Sequence, residues 1–249
     1  MKEKGAFPPD SHLNSLLALL TKAESSRLSP TLESVQLPRG EILNETGSRL
    51  THVYFPTTAI VSLMYVMETG APAEIAMVGN EGIVGLPLYL GSGIAPYRTV
   101  VQSAGHAYRM NGQLLKREFF RGGSLHRVLL LYALTRLRQA AQAAVCNRYH
   151  TVDDQLCRWL LLILDRLPAN DVSMTHKMIA AALGVRREGV TEAAGNLQNA
   201  GLIRYNRGRI TVLDRPGLEA RVCECYETVR AASRLLLPEG TEAAQARTG

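Results

Sequence analysis

The sequence has 249 residues and is 46% hydrophobic, enough apolar material for two modest domains with real cores. Its 28 Lys and Arg against 22 Asp and Glu leave a net charge of +6, which favours an anionic partner without naming one. The most apolar stretch, Leu160 to Leu164, is far too short to span a bilayer, and no leader-like start is visible, so a cytoplasmic protein with no membrane role is expected.

In chain order, residues 1–26 read as an N-terminal helical arm, with Leu13, Leu16, Leu17 and Leu20 following Pro8-Pro9. Residues 27–122 are rich in Gly, Pro, Thr, Val and Tyr. Short β-type runs recur at His52–Phe55, Ala59–Val66, Glu74–Val78, Thr99–Ser103 and Ala107–Met110, with this β zone running to Phe120. Turn signals at Glu45-Thr46-Gly47, Glu68-Thr69-Gly70, Gly79 to Gly82 and Gly91-Ser92-Gly93 separate them. Many short strands at close spacing predict a β-roll or jelly roll. Residues 123–149 form a long helix, free of Gly and Pro from Leu125 to Asn147. Along it Leu130, Leu134, Leu137, Ala141 and Ala144 alternate at spacings of four and three, with Arg127, Arg136 and Arg138 around them. That is a coiled-coil-like seam and predicts a dimerisation helix; the competing reading is a helix packed on its own β domain.

Residues 150–237 carry the most informative pattern. Thr151 with Asp154 resembles a capping box. The helix that follows places Leu156, Leu160, Ile163, Leu164 and Leu167 on one face beside Trp159, Pro168 ends it, and Asn170-Asp171 makes the connection. Thr175 is then a good N-cap, Ile179 and Leu183 share a face, Ala180 is small enough for a close crossing, and Gly184 supplies a left-handed turn residue before Val185. A second helix from about Arg186 to Asn199 buries Val190, Ala194 and Leu197 and stops at Gly201. Gly195 inside it costs roughly 1 kcal/mol against Ala, and close packing is a conceivable reason for it.

Two helices joined by a tight Gly turn make a helix-turn-helix, which lays the start of its second helix in the major groove. Here that start holds Arg186, Arg187, Glu188, Gly189, Thr191 and Glu192. Arg187 and Glu188 are the candidate base readers, helped by Arg186 and Thr191. Leu202 to Val212 reads as a hairpin with Asn and Gly in its turn, Arg207 and Arg209 at its tip and Arg204 at its base. Thr175, Lys177, Arg204, Arg207 and Arg209 are the candidate phosphate contacts. Residues 238–249 read as a flexible tail. The partner expected is double-stranded DNA.

Other chemistries find little support. The six histidines are scattered, and no Ser-His-Asp grouping, P-loop or dinucleotide fingerprint is present, so no enzyme is expected. A cupin-like metal enzyme on the β-roll and a winged helix that contacts protein are the alternatives. Cys146, Cys157, Cys223 and Cys225 fit neither a zinc ribbon nor a disulfide framework and read as thiols of a reducing cytosol. On a helix, Cys223 and Cys225 would point in different directions, so neither a metal site nor a cofactor is expected.

The order of β-roll, long helix and winged helix-turn-helix, an α+β fold, resembles the Crp/Fnr family of bacterial regulators from about Pro30 to Leu213, most strongly from Thr175 to Val212. By this resemblance Arg187 and Glu188 match the family's base-reading Arg-Glu pair. It implies a homodimer on a roughly palindromic operator, a small-molecule effector bound in the β-roll, and contact with RNA polymerase if the protein is an activator. Glu192 stands where the family's catabolite activator carries a second recognition arginine. Arg98-Thr99 could match the phosphate-binding pair of cyclic-nucleotide binders, but Gly82 to Leu88 lacks the Glu that holds the ribose, so cyclic nucleotide is not the expected effector. With no cysteine before Cys146, the N-terminal iron–sulfur cluster of Fnr-type sensing is excluded. His52 and His106 are the two β-roll residues that could ligate a haem iron.

Overall fold

In this computed structural model the structure describes residues 13–68, 70, 72–166 and 170–234. The Pro8-Pro9 start, Leu167, Pro168 and the 238–249 tail lie outside the described residues.

The arm is two short helices where one was expected, α1 (Ser15–Ala18) and α2 (Lys22–Leu28), because Asn14 caps the first and a Thr21–Glu24 capping box starts the second. Leu16, Leu17, Leu20 and Leu28 are buried, whereas Leu13 is exposed. Asn14, fully buried, donates its amide to the carbonyls of Pro56 (2.8 Å) and Gly82 (2.9 Å), which ties the arm to the next domain.

Seven strands follow: β1 (Glu33–Leu37), β2 (Ile42–Asn44), β3 (His52–Pro56), β4 (Ile60–Val66), β5 (Pro72–Val78), β6 (Arg98–Ser103) and β7 (Gly105–Asn111). They pair antiparallel in two sheets of order β1-β7-β3 and β2-β6-β4-β5. Every expected run is a strand. The two that sequence reading passed over are weak on their own: β1 buries only Leu37, and β2 is three residues long beside a bulge. Phe55, Met110 and Tyr108 face the arm and later helices, while Val61, Val78, Val101 and Ala107 fill the space between strands.

The β zone does not run to Phe120. Helix α3 (Leu86–Leu90) interrupts it, and α4 (Gly112–Arg121) ends it. Asn111 caps α4, Leu115 and Phe119 bury its inner side at helical spacing, and Gly122 terminates it at φ 82°.

Helix α5 (Ser124–Tyr149) spans 26 residues. Leu125, Val128, Leu129 and Tyr132 sit in the β-roll core, and Leu130, Leu134, Leu137, Ala141 and Ala144 are all exposed. One face thus packs on the chain's own β domain, and the stripe of Leu130, Leu134, Leu137, Ala141 and Ala144 lies on another that stays exposed.

The remainder is α6 (Val152–Leu164), β8 (Asp171–Ser173), α7 (His176–Leu183), α8 (Arg187–Asn199), β9 (Ile203–Asn206), β10 (Arg209–Val212), α9 (Arg215–Arg221) and α10 (Cys225–Arg234). Asp171 is not a plain connector: it opens β8, which pairs with β10, so the wing is a three-stranded sheet of order β8-β10-β9. Cys223 precedes α10 instead of lying on it, so the helical argument separating it from Cys225 does not apply. Helix α10 packs back along α5, where Thr135 Oγ1 donates to the Ala232 carbonyl at 3.2 Å.

The core of this last domain, built on Leu156, Leu160, Ile179, Val190, Leu197 and Ile210, extends to Ile60 and Met77 of the β-roll. Helix α7 lies against β5, and Arg39 Nη1 donates to Ser173 Oγ at 3.0 Å. A half-buried ion pair, Arg166 Nε to Glu81 Oε1 at 2.8 Å, joins the chain just after α6 to the loop after β5.

Candidate nucleic-acid interface

The local chemistry of α7 and α8 follows the sequence closely. Thr175 Oγ1 accepts from the Met178 amide, and Gly184 adopts φ 69° in the left-handed region, where a Cβ would be strained. Ile179, Leu183, Val190, Ala193, Ala194 and Leu197 then close the angle between the two helices as one apolar contact. Gly195 has no packing reason: a Cβ there would meet nothing within 4 Å.

Arg186 caps α8 with no side-chain hydrogen bond, so the first amides of that helix keep their partial positive charge facing outward. Arg186, Arg187, Glu188, Thr191 and Glu192 are exposed. Gly189 differs: its missing Cβ would point at Val152 of α6, at 3.7 Å, so it faces inward.

The hairpin turns at Arg207 (φ 44°) and Gly208 (φ 81°), both left-handed, as a two-residue turn of the primed type requires. Asn206 is not in the turn but ends β9 opposite Arg209. Arg204, Arg207 and Arg209 are exposed, as are Thr175 and Lys177.

Two residues that sequence reading missed hold these pieces together. His176 stacks on Tyr205 with ring centroids 4.0 Å apart, and its Nδ1 lies 3.0 Å from Thr191 Oγ1. One imidazole therefore joins the start of α7, the exposed side of α8 and the wing. Burial, then the nearby Arg187 charge, pushes His176 below the usual histidine range, which favours its neutral form. A Cβ on Gly208 would stand 3.5 Å from Thr175 Cγ2, so the wing turn abuts the cap of α7. A histidine at the first position of a helix is not by itself a signal, and only the stacking reveals its place.

The patch carries Lys177, Arg186, Arg187, Arg204, Arg207 and Arg209 against Glu188 and Glu192. Among the described residues none of these six cations is in an ion pair, whereas Arg215 and Arg221 of the same domain pair with Asp165 and Asp153. The surface can accept phosphate oxygens at several points and offer side-chain donors to base edges.

The β-roll candidates are placed differently. Arg98 Nε is paired with Glu45 Oε2 at 2.7 Å, and buried Thr99 accepts from Asn44 Nδ2 at 3.1 Å. His52 contacts Thr51 Oγ1 at 2.9 Å, and His106 is exposed, registered opposite Gln36. A cavity of about 420 Å³ instead opens between β5, α5 and the last domain, lined by Glu74, Tyr97, Arg136, Trp159 and Arg166 among others. Burial pushes the Glu74 carboxyl up to about 7, against the Ser62 hydroxyl at 2.5 Å and the opposing pull of Trp159, Arg166 and Arg136.

Residues 154–221 match the Crp-like helix-turn-helix domain. The chain is 24% identical over 210 residues to the global nitrogen regulator of Synechococcus elongatus, a match covering 81% of this chain and 94% of that protein. Its fold is that of FixK2 from Bradyrhizobium japonicum (TM-score 0.66, 18% identity, 77% of this chain and 98% of that one). It is also that of TTHB099, a transcriptional regulator of the CRP family from Thermus thermophilus (TM-score 0.63, 19% identity, 75% and 95%). The matched domain makes the chain a DNA-binding transcription regulator, and its fold is shared with solved regulators of the Crp/Fnr type. No helix among the described residues is long and apolar enough to cross a membrane.

Proposed function

We propose that the protein is a cytoplasmic homodimer that recognises a roughly palindromic operator. In this reading residues 150–237 bind DNA, 123–149 dimerise, and 27–122 form a sensor domain for a small-molecule effector other than a cyclic nucleotide. Arg187 and Glu188 read bases, with Arg186, Thr191 and Glu192 beside them. Thr175, Lys177, Arg204, Arg207 and Arg209 hold phosphates. The observation that carries the proposal is the set of six exposed, unpaired cations spread over α7, the start of α8 and the wing, which His176 and Gly208 bring together. The exposed stripe Leu130, Leu134, Leu137, Ala141 and Ala144 supports pairing through α5, since an apolar seam of that spacing favours a second copy. If the protein activates transcription, RNA polymerase is a further partner.

Selection of bound sites from random duplexes tests the proposal directly. It should return an inverted repeat whose half-sites lie about 34 Å apart, one helical turn, with affinity falling steeply as salt is added. Recovery of no preferred sequence at any salt would remove the base-reading role. Leu134→Arg should yield monomers by light scattering, and a variant that stays dimeric would take α5 out of the dimer.

A further inference from the structure

Cys146, His150, Cys223 and Cys225 have no part in the DNA-binding reading, yet they converge. Each offers one donor atom, and those atoms all lie within 4.8 Å of one another. Cys146 and His150 are four residues apart at the C-terminal end of α5, so they share one side of it. Cys223 and Cys225 come from the turn before α10 and from its first residue. The contact of α10 with α5 brings the two pairs together.

We propose that these four residues form a tetrahedral site for a single zinc-class cation, fastening the end of α5 to the start of α10. Two of the six donor separations fit this closely. Around zinc, with Zn–S about 2.3 Å and Zn–N about 2.0 Å, tetrahedral geometry puts sulfurs about 3.8 Å apart and sulfur and nitrogen about 3.5 Å apart. Here Cys146 Sγ lies 3.7 Å from Cys223 Sγ, and Cys225 Sγ lies 3.5 Å from His150 Nδ1. An iron–sulfur cluster would divide the four ligands between irons and set those on different irons further apart than the 4.8 Å that bounds all four donors here, so one ion fits better than a cluster. Three thiolates and an imidazole are the soft donor set that selects zinc over magnesium or calcium.

The surroundings point the same way. His150 turns Nδ1 to the sulfurs and its other nitrogen, Nε2, to the Glu224 carboxylate at 3.4 Å. A carboxylate behind the ligating imidazole fixes its tautomer and makes it more basic. Gln142 Nε2 donates to Cys225 Sγ at 3.0 Å, as an amide supporting a metal thiolate would. The charge of buried Arg158 acts on Cys146 and offsets part of the net negative charge that three thiolates would leave on a dication. Cys146 and Cys225 are buried, whereas His150 and Cys223 are half-buried, which leaves a way in. The consequence is mechanical. His150 ends α5 and Thr151 caps α6, so a cation here would clamp the junction where the long helix passes into the DNA-binding domain.

The test uses the full chain purified under reducing conditions. Metal analysis should find about one zinc per chain, and Cys223→Ser should lower it at least tenfold. Cys157→Ala, which removes a buried thiol outside the cluster, should leave it unchanged. If Cys223→Ser fails to fold, a Co²⁺ titration of the chelator-stripped wild-type protein decides. One equivalent should produce visible bands of tetrahedral cobalt with sulfur-to-cobalt charge-transfer absorption, and zinc should bleach them. No zinc together with no such spectrum at equimolar cobalt overturns the site. So does a Cys146–Cys223 disulfide in the protein isolated under the same conditions.

Discussion

Arginine is used in two opposite ways in this molecule. In the arm, the β-roll and the junction, Arg27, Arg98, Arg109 and Arg166 each have a carboxylate partner, Glu118, Glu45, Glu33 and Glu81 respectively. On the helix-turn-helix and wing, Arg186, Arg187, Arg204, Arg207 and Arg209 have none among the described residues, and Lys177 joins them. Exposed pairs add little stability, so the first pattern mainly neutralises charge. The second leaves like charges close together, an arrangement that repels itself and is relieved by an anion. The contrast teaches that, in a protein of net charge +6, where the charge is left unpaired says more than how much of it there is.

If the contrast has meaning, breaking the least exposed pair should register in stability and changes to the unpaired set in binding. The largest effect is expected at Arg166, whose guanidinium is only 9% exposed beside Glu81. Arg166→Ala leaves the half-buried Glu81 carboxylate without its cation and should cost about 3 kcal/mol in denaturant unfolding. A loss below about 1 kcal/mol would mean the pair does not join the two domains.

Glu74, in the same junction, sets a pH dependence. Its folded value of about 7 lies above the ordinary carboxylate value, so the fold prefers the protonated form. Stability from this group is present below about pH 4.5 and is lost as pH rises through about 7, on the order of 3 kcal/mol. Glu74→Gln should flatten that slope and raise stability at about pH 8; an unchanged slope would assign the dependence elsewhere.

From the unpaired set, Arg187→Ala should cost about 1–3 kcal/mol on the preferred duplex and relax its sequence preference, while unfolding stays within about 0.5 kcal/mol of wild type. Arg207→Ala should weaken all duplexes alike and lower the salt slope by about one. Equal behaviour of the two variants across sequences would merge the roles assigned to α8 and the wing. The smallest effect sharpens the picture of α8 itself. Gly195→Ala adds a Cβ into open space and should raise stability by about 0.5–1 kcal/mol. A loss would show that the site is filled when DNA or a second chain is present.

The helix-turn-helix was legible because its signals are short-ranged. Thr175, Gly184 and Gly201 mark ends through their own backbone and side-chain chemistry, and Ile179, Leu183, Val190 and Leu197 repeat at the helical period. The stripe on α5 was legible for the same reason: spacing alone grouped Leu130, Leu134, Leu137, Ala141 and Ala144, and all five are exposed. Strand β1 was not, since it is polar along most of its length and exists through its partner β7, more than 65 residues away. Helix α4 hid behind the β-rich composition around it. Strand β8 hid because it is only three residues long and depends on β10.

Caps, turns and repeats are set by neighbours a few positions apart, so the order of residues alone decided where α7 and α8 begin and end and which stripe of α5 stays exposed, whereas α6 stops at Leu164, short of the expected Pro168. The grouping of Cys146 with Cys223, 77 positions further on, and of His176 with Thr191 and Tyr205, came only with packing. Such encounters depend on how α10 settles against α5 and the wing against α7. Those are contacts between whole surfaces, and no spacing within a single element encodes them.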